Sequence, residues 1–574
     1  MTMKIVYVGN NAARRRAVSP DDDIIALRYD NWNDFGYETT FPTLCYIGGK
    51  KVELGPIRIL FGDEKQSHAY LEQKLADGWD GVFPVPGMQY ISTPTSITFY
   101  ELLLSQIGQD GAVSAAVQLR DASWLAMHEE DESALALIAG RGFTDSLQRE
   151  RGGQKAFVDG WKLLAGNTVA VRDFSFGFSD LHGEISTLHL KFEADTPLPH
   201  DINVLIGANG VGKSQLMQQM VSQWLTIERS ATQEEVIQPK TGFSYKPNLS
   251  QLVLISYSPF ELFPVDAKDK VLIDKGVYRY FGLRGRDTQD QKTIMLSRRF
   301  PKTNAAHSLV ACLADDQRYG SIKAWSKKLR TMHDVLQSAI GFDYAAVRLR
   351  KGVKPQTVVE EDPLTYDPWL TIPEDGRDRI YVPIAQDRLN MLDPAKLSKA
   401  IDAPAGVTFF KDGQALHLSS GQRLFSYIVV NILGAIRRHS LILVDEPELF
   451  LHPTLEIQFV EMLKTILANY VSKALLATHS VVTVREMPSD CVHVLEDSDD
   501  GLIIKQPPFE TFGGDVQRIS SYVFGDKAVS KPFERWVSAK LEEYGSAAAL
   551  FEALGDHLNE ELRIQITAMA RDQW

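Results

Sequence analysis

Apolar and polar residues follow two different periodicities in the first 165 residues of this 574-residue chain. Short apolar segments bounded by polar turns predict strands at 4–8, 41–47, 51–54 and 57–61. Apolar residues that recur every three to four positions then predict helices at 99–107, 112–120 and 132–139. Residues 1–165 are therefore predicted to form an α+β accessory domain.

Longer apolar runs follow residue 165, and they indicate buried strands of a larger core. Paired strands are predicted at 168–174 and 186–192, and further strands at 203–207, 252–256, 379–383 and 441–444. We expect an α/β fold with one half of the core at 166–264 and the other at 405–505. The intervening residues 265–404 are predicted to form an inserted, mostly helical lobe with a linker.

The last part of the chain, 506–574, has helical spacing and is predicted to be a C-terminal helical segment. The residues expected in its core are Trp536, Leu541, Tyr544, Phe551 and Leu554.

The charge of the chain is unevenly distributed. The formal net charge is −13, which argues against indiscriminate coating of nucleic acid. Residues 265–354, however, contain 19 Lys and Arg against 9 Asp and no Glu, a local charge of +10 that leaves −23 on the remainder. A basic lobe on an acidic body is predicted.

The composition and the N-terminal segment also indicate where in the cell the protein is expected. No apolar run approaches the ~20 residues of a membrane-spanning helix, and the N-terminal segment lacks the order of a secretory signal. The three cysteines, Cys45, Cys312 and Cys491, are far apart and lack zinc-ligand spacing. They suit reduced thiols, so a cytoplasmic protein without a membrane span is expected.

The clearest chemical motif is Gly-Ala-Asn-Gly-Val-Gly-Lys-Ser at 207–214. It follows an apolar strand and opens a helix with an apolar stripe, which is the context of a phosphate-binding loop. Glycines let backbone N–H groups surround phosphates, while Lys213 supplies a positive charge and Ser214 a hydroxyl ligand for Mg²⁺. The expected nucleotide-binding residues are Gly207, Ala208, Asn209, Gly210, Val211, Gly212, Lys213, Ser214 and Gln215.

Three later segments follow in a fixed order. Leu-Ser-Ser-Gly-Gln at 418–422 opens a helix that Ser419 is expected to cap. The strand 441–444 ends in two carboxylates, of which Asp445 is expected to face the metal, and Ala-Thr-His-Ser at 477–480 places His479 after the next strand. Each segment alone has a purely structural explanation, but all of them in this order predict one ATP site.

These segments, together with Pro-Glu-Leu-Phe-Leu-His-Pro at 447–453, resemble the ABC-type ATPase heads of the RecF, SMC and OLD group, which act on nucleic acid. The resemblance implies a P-loop head with a mixed sheet, ATP and Mg²⁺ as ligands, and a homodimer that holds each ATP between two subunits. It implies that Glu446 polarises the attacking water, with Lys213 and His479 completing the catalytic set.

The same resemblance implies further contacts in the dimer. Ser419, Gly421 and Gln422 are expected to contact the ATP of the opposite subunit, and His452 is expected in the subunit interface. The chain departs from the family pattern at 255–261, which lacks the usual Gln that senses Mg²⁺. Either Ser256 or Ser258 substitutes for it, or the coupling of nucleotide to the lobe differs.

The leading functional expectation is an ATPase that regulates a nucleic-acid-directed or effector complex, in anti-phage defence or DNA maintenance. Only 94 residues follow Ser480, too few for the Toprim nuclease of OLD proteins, so a separate effector protein is expected. The alternatives are a nucleotide-dependent scaffold or sensor with little turnover, and a transporter ATPase subunit, which the segment 447–453 disfavours.

The basic lobe offers a path for DNA over 298–351, or else a solvated face that pairs with an acidic domain or partner. The cationic residues considered are Arg298, Arg299, Lys302, Lys323, Lys327, Lys328, Arg330, Arg348, Arg350 and Lys351.

Overall fold

The computed structural model describes residues 3–572 except for positions 20, 30–35, 53, 63, 168, 195, 230–240, 270–271, 274–275, 288–289, 291, 320–326, 360–368, 375, 499–500 and 526–531. The chain divides into two compact units, Met1–Gly514 and Asp515–Trp574. Within the described ranges, no helix is both long enough and apolar enough to cross a membrane.

Two small sheets and a group of helices make up the first 165 residues. The strands are β1 (Lys4–Gly9), β2 (Ile24–Arg28), β3 (Thr40–Phe41), β4 (Thr43–Ile47), β5 (Lys50–Val52), β6 (Ile57–Phe61) and β7 (Tyr90–Pro94). The helices are α1 (Ala12–Arg16), α2 (Ser67–Ala76), α3 (Thr98–Gln118), α4 (Ala122–Met127), α5 (Glu132–Ile138) and α6 (Arg151–Leu164). The sheet orders are β1-β2-β4-β5 and β3-β6-β7.

One predicted strand of this part is divided in the structure by a single residue. The strand predicted at 41–47 is split at Pro42 into β3 and β4, which pair in different sheets, since proline has no N–H for a ladder. The two helices predicted at 99–107 and 112–120 are present as the two segments of α3, which are separated at Gly108, a residue with the non-helical angles φ 70° and ψ 179°. The strand predicted at 57–61 is confirmed.

A seven-stranded sheet forms the centre of the larger unit. Its strands are β10 (Ile202–Gly207), β12 (Gln251–Ser256), β13 (Tyr278–Gly282), β21 (Ser440–Asp445), β22 (Lys473–Thr478), β23 (Val492–Ser498) and β24 (Gly501–Lys505). The order is β13-β12-β21-β22-β10-β23-β24, with parallel pairing throughout except between β23 and β24. The predicted α/β fold with a mixed sheet is confirmed, and it is the fold of a P-loop ATPase.

Smaller antiparallel sheets flank this centre. They contain β8 (Phe174–Ser179), β9 (Ile185–Leu190) and β11 (Gly242–Phe243); the hairpin β14 (Arg284–Arg286) and β15 (Ile294–Leu296); and β16 (Tyr344–Arg348), β17 (Leu370–Glu374), β18 (Arg377–Ile384), β19 (Val407–Lys411) and β20 (Gln414–Ala415). The helices are α7 (Lys213–Arg229), α8 (Arg299–Tyr319), α9 (Lys328–Ile340), α10 (Pro394–Ala400), α11 (Ser420–Ala435), α12 (Pro453–Tyr470) and α13 (Val481–Val484).

The inserted lobe contains more strand than the sequence predicts. Residues 278–282 belong to the central sheet as its edge strand β13, and the lobe contributes β16, β17 and β18 to a five-stranded sheet with β19 and β20. Only α8 and α9 are long helices between residues 265 and 355 in the described part. These strands are short, and the preference of a short segment for strand depends on the neighbouring strands against which it packs. The sequence alone therefore does not predict them.

The pair predicted at 168–174 and 186–192 is shifted. The first strand begins at Phe174, and β8 pairs with β9 from Phe174–Leu190 to Ser179–Ile185. Val169 and Val171 are buried outside any strand, so burial and not sheet pairing explains their apolar character. Residue 168 lies outside the described residues, as do Lys323 and the acidic positions 360–362 of the linker.

The second unit consists of short helices, α14 (Val516–Phe524), α15 (Pro532–Tyr544), α16 (Ala547–Leu554) and α17 (Glu560–Asp572). Its buried core is formed by Val537, Leu541, Leu550 and Ile566. Two residues predicted in this core are exposed, Trp536 at 44% and Tyr544 at 42%. Leu541 is in the core as predicted, and Val537, one turn before it, is buried in place of Trp536.

Candidate functional site

The register of four parallel strands brings the predicted site residues to one edge of the central sheet. Ser256 pairs with Asp445, Asp445 pairs with Ala477, and Thr478 pairs with Ile206. The carboxyl ends of β12, β21, β22 and β10 therefore lie side by side, which is where ligands bind in open α/β sheets. The loop after β10 is the predicted phosphate-binding loop.

The glycines of this loop are required by its shape. A Cβ atom on Gly207 would lie 2.3 Å from the backbone oxygen of Leu495, so no larger residue fits there. Gly210 and Gly212 have φ of 84° and 93°, a left-handed conformation that favours glycine. Ala208 and Asn209 are exposed on the outer side of the loop, and Val211 is buried beneath it.

Lys213 points back into its own loop. Its Nζ atom donates to the carbonyl oxygens of Gly207 and Ala208, each at 3.0 Å. Burial lowers the pKa of this ammonium to about 8, against the opposing influence of the nearby carboxylates. Lys213 thus donates to carbonyl oxygens the N–H groups that it could donate to a bound phosphate. These contacts hold the ammonium beside the expected phosphate position.

Asp445 receives a hydroxyl group on each carboxylate oxygen. Ser214 Oγ donates to Oδ1 at 2.8 Å, and Ser256 Oγ donates to Oδ2 at 3.2 Å. Burial, helped by repulsion from Glu446, raises the pKa of Asp445 to about 6 despite these hydrogen bonds. Of Ser256 and Ser258, the two candidates to replace the usual Gln, Ser256 is therefore the one that hydrogen-bonds to Asp445.

Glu446 and His479 face each other next to this cluster. His479 Nε2 lies 3.7 Å from Glu446 Oε1, and Nδ1 lies 3.5 Å from Lys213 Nζ. Glu446 has φ of 50°, and its N–H donates to Ala477 O at 2.9 Å. Burial and the charge of Lys213 lower the pKa of His479, which favours the neutral ring.

Two glutamates that the sequence does not single out support this arrangement. Glu448 Oε1 accepts the backbone N–H of His479 at 2.5 Å, and Glu456 Oε2 accepts the hydroxyl of Ser480 at 2.5 Å. Burial raises the pKa of Glu448. The one sequence signal for Glu448 is its place two residues after Glu446, because a tight turn there returns a second carboxylate to the strand ends.

The segment Leu-Ser-Ser-Gly-Gln at 418–422, called the signature segment from here on, forms a capped helix start on another part of the surface. Ser419 Oγ accepts from the N–H of Gln422, whose side chain accepts from the N–H of Ser419, each at 3.2 Å. Gln422 also donates to Ala339 O, at the end of α9, at 3.3 Å. Ser419 is exposed and Gly421 is half-buried. The predicted cap is confirmed, and Gln422 ties this helix start to the lobe.

The remaining predicted residues have local roles. His452 is exposed and caps α12 by accepting the N–H of Thr454 at 3.4 Å. Gln215 is half-buried in the first turn of α7. The apolar stripe of α7 is buried as predicted, with Trp224 at its centre donating its indole N–H to Val277 O at 3.0 Å.

Two of the basic residues considered for DNA are used inside the protein. Lys328 is 1% exposed and forms an ion pair with Asp315 at 2.7 Å. Arg348 pairs with Glu374 at 3.2 Å and Asp402 at 2.8 Å. The expectation that Lys328 belongs to an open cationic face is therefore wrong, because helix packing buries its whole side chain.

Comparisons with known proteins give one family match to part of this region. A family model described as "AAA domain, putative AbiEii toxin, Type IV TA system" matches residues 387–485, the range that contains the signature segment, Asp445, Glu446 and His479. The chain carries a P-loop ATPase domain. Such domains bind nucleotides, typically with Mg²⁺.

Two further similarities extend over more of the chain. It is 24% identical to Protein ea59 of Escherichia phage lambda over 569 residues, which cover 95% of this chain and 94% of that protein. The crystal structure of UvrA2 from Deinococcus radiodurans aligns at a TM-score of 0.26 and 11% identity, over 64% of this chain and 40% of that one. The chain thus spans less than half of UvrA2, and a likeness this low carries no argument.

The pKa of Lys213 predicts how nucleotide binding depends on pH. It is lowered from its ordinary value in the nucleotide-free loop, so the ammonium is charged below about pH 8 and loses its proton above it. Affinity for a fluorescent ATP analogue in EDTA should hold below about pH 8 and fall by up to about tenfold per pH unit above it.

The control for this experiment is Lys213→Arg, whose guanidinium stays charged throughout the range. Its affinity should show no decline across the same range. A parent protein whose affinity is equally flat would show that Lys213 does not titrate there.

Proposed function

We propose that this protein hydrolyses ATP. The observation that carries the proposal is the cluster at the strand ends, in which Asp445 holds two serine hydroxyls and Glu446 lies 3.7 Å from His479 beside the phosphate loop. A carboxylate, a hydroxyl and a lysine at these positions are what nucleotide binding requires, and the second carboxylate adds a group that can activate water.

The residues present fit Mg²⁺. The hydroxyl oxygens of Ser214 and Ser256 each lie within hydrogen-bond distance of an Asp445 carboxylate oxygen, and Mg²⁺ prefers such hard oxygen ligands, with water and phosphate completing its shell. Ser214 and Asp445 would hold the ion directly or through water. When bound, Mg²⁺ neutralises negative charge that develops on the transferred phosphate.

The protein groups then divide the work. Lys213 exchanges its hydrogen bonds to two loop carbonyls for hydrogen bonds to phosphate oxygens. The negative phosphate then stabilises the charged form of Lys213, which burial destabilises. Glu446 orients the attacking water and accepts its proton, while the neutral ring of His479 can donate a hydrogen bond to the terminal phosphate. The left-handed backbone at Glu446 fixes the direction in which its carboxylate leaves the strand.

We further propose that two copies close around ATP. The exposed Ser419 side of α11 offers a helix N-terminus that can receive a phosphate from the opposite copy. Three large exposed apolar side chains lie close in sequence to site residues, Phe260 at 89%, Leu262 at 71% and Leu449 at 48%, and a fourth, Leu181, is 54% exposed. The Leu181 side chain lies next to Gly212 of the phosphate loop. Covering such groups favours association.

A change at Glu446 separates binding from hydrolysis. Glu446→Gln keeps the size of the side chain and removes the base, so ATP turnover should fall by at least about a hundredfold with nucleotide affinity retained. Size-exclusion chromatography with ATP should show a trapped dimer. Glu461→Gln, at an exposed position on α12, is the matched control and should hydrolyse ATP like the parent. Normal turnover by Glu446→Gln would refute the assignment of the base.

Bulk at Ser419 tests the shared site. Ser419→Arg should bind ATP nearly as the parent does but block turnover, because the long side chain obstructs the approach of a second copy. Ser419→Ala removes the helix cap, which costs about 1 kcal/mol of stability, but adds no bulk, and should keep much of the activity.

Mixing two inactive variants completes that test. Ser419→Arg combined with Lys213→Ala gives mixed dimers with at most one intact site, so the mixture should exceed the summed activities of the two proteins measured alone. Full ATPase activity in a strictly monomeric parent would contradict the shared site.

We also propose duplex DNA as a ligand of the lobe, with Arg298, Arg299, Arg350 and Lys351 as the exposed cations that support it. Reversing Arg298, Arg299 and Arg350 to Glu should lower the slope of log affinity against log salt by about 2–3, since each phosphate contact contributes about 0.9. The control reverses Lys4, Arg16 and Lys50, exposed cations of the accessory domain. Absence of DNA binding at low salt, with and without ATP, would leave the lobe as a protein interface.

The biological role we propose is regulation of a separate effector in defence or DNA maintenance. The matching family description names a putative toxin of a type IV toxin–antitoxin system, which supports a role of this kind. The exposed strand β15, with Ile294, Met295 and Leu296 each at least 38% exposed, offers an apolar edge to such a partner. Purification from the native operon would identify the protein that co-elutes.

A further inference from the structure

A cavity of about 670 Å³ lies between the accessory domain, the central sheet and the lobe. Its walls are residues 95–98, the edge strand β13, the helix α8 and the turn 434–438 that joins α11 to β21. None of the nucleotide-site residues described above lines it. A cavity of this size holds a molecule of nucleotide dimensions.

The carboxylates that line the cavity are already neutralised by cations outside its lining. The pairs are Glu150 with Arg58 at 2.9 Å, Asp266 with Arg286, and Asp315 with Lys328 at 2.7 Å. Two of the lining cations are likewise paired, Lys155 with Asp159 at 2.7 Å and Arg438 with Glu101 at 2.7 Å.

Arg279 and Arg437 differ from these groups. Both line the cavity and both are solvent-accessible. Within the described part of the chain, neither guanidinium has an ion pair or a side-chain hydrogen bond. The surrounding protein and the like charge of Arg437 lower the pKa of Arg279.

The backbone brings these two arginines together. Arg279 is the second residue of β13, where alternation directs Tyr278 and Tyr280 into the core of the sheet and leaves Arg279 on the opposite face. The Arg437 guanidinium packs over Gly276, where a Cβ atom would lie 3.2 Å from its nitrogen. Two neighbouring cations without acidic partners repel each other, and an anion that accepts hydrogen bonds from both offsets this repulsion.

We propose that this cavity binds a small molecule carrying a pyrophosphate group, with Arg279 and Arg437 on its phosphate oxygens. The planar guanidinium fork matches phosphate oxygens bidentately, and two forks side by side suit two linked phosphates. Asn304 and His307 on α8 add neutral hydrogen-bonding groups to the same lining. A volume of about 670 Å³ is too small for a duplex, so the ligand is a nucleotide-sized molecule and not the DNA proposed for the lobe.

The test uses the full-length chain with Lys213→Ala, so that the phosphate loop does not contribute and the result is independent of the ATP site. Sodium pyrophosphate is titrated into it at low salt by isothermal titration calorimetry. We expect one binding event, weakened at least about tenfold by Arg279→Gln or Arg437→Gln, because each removes a charge-assisted contact. Arg16→Gln, at an exposed arginine outside the lining, should leave the affinity unchanged.

Several outcomes would overturn the proposal: no binding of pyrophosphate, affinity in both Gln variants equal to that of the protein carrying Lys213→Ala alone, citrate bound as tightly as pyrophosphate, or a single-stranded oligonucleotide bound more tightly with the same arginine dependence. Thermal melting checks that the Gln variants are folded. If they are not, Arg279→Lys and Arg437→Lys carry the test, since they keep the charge and lose the fork. Weaker pyrophosphate binding by these variants supports the site, and unchanged binding refutes it.

Discussion

The carboxylate of Asp445 is the point at which three parts of the ATPase core meet. One oxygen accepts the hydroxyl of Ser214, at the start of the helix after the phosphate loop, and the other accepts the hydroxyl of Ser256, at the end of a neighbouring strand. Both contacts depend on the parallel register of the sheet, because a shift of one residue would turn each side chain to the other face. The start of the helix after the phosphate loop, Asp445 and the end of β12 are thereby held together.

The same burial that assembles the site also makes it sensitive to charge. Removal from water raises the pKa of Asp445 and lowers the pKa of Lys213 and His479, since each charged form loses solvation. The proposed ligands would reverse this effect at two of the groups: Mg²⁺ would favour the ionised form of Asp445, and phosphate would favour the protonated form of Lys213. Ligand binding and the ionisation of this site are therefore linked.

The signature helix connects this site to the lobe. Gln422 bonds to Ala339 of α9, Ser308 of α8 donates to Asn431 within α11 at 2.9 Å, and buried Lys328 donates to Ile436 O at 3.0 Å. A Cβ atom on Gly434 would lie 2.5 Å from Ser308, so the two helices touch at their backbones. These contacts join the helix start that carries Ser419 to the lobe, and the turn after α11 lines the cavity that contains Arg437.

Contiguous motifs made much of the nucleotide site predictable. The phosphate loop, the strand ending in Asp445 and the capped start of α11 each lie within a few residues, and local spacing specifies such units. Strand pairing was less predictable: Pro42 divides one predicted strand between two sheets, and β13 joins the central sheet from a region expected to be helical. Those outcomes depend on which distant segments provide partners.

The sequence by itself determined the chemical groups of the site, because their types and order are local properties of the chain. Only the tertiary structure decided which side chains contact one another and which charged groups have no partner of opposite charge. It placed Ser256 and not Ser258 on Asp445, buried Lys328 against Asp315, and left Arg279 and Arg437 without acids in a shared cavity. Pairing of charges is a matter of distance in space, and residues 158 positions apart in the chain come together only when the sheet, the lobe and the accessory domain pack.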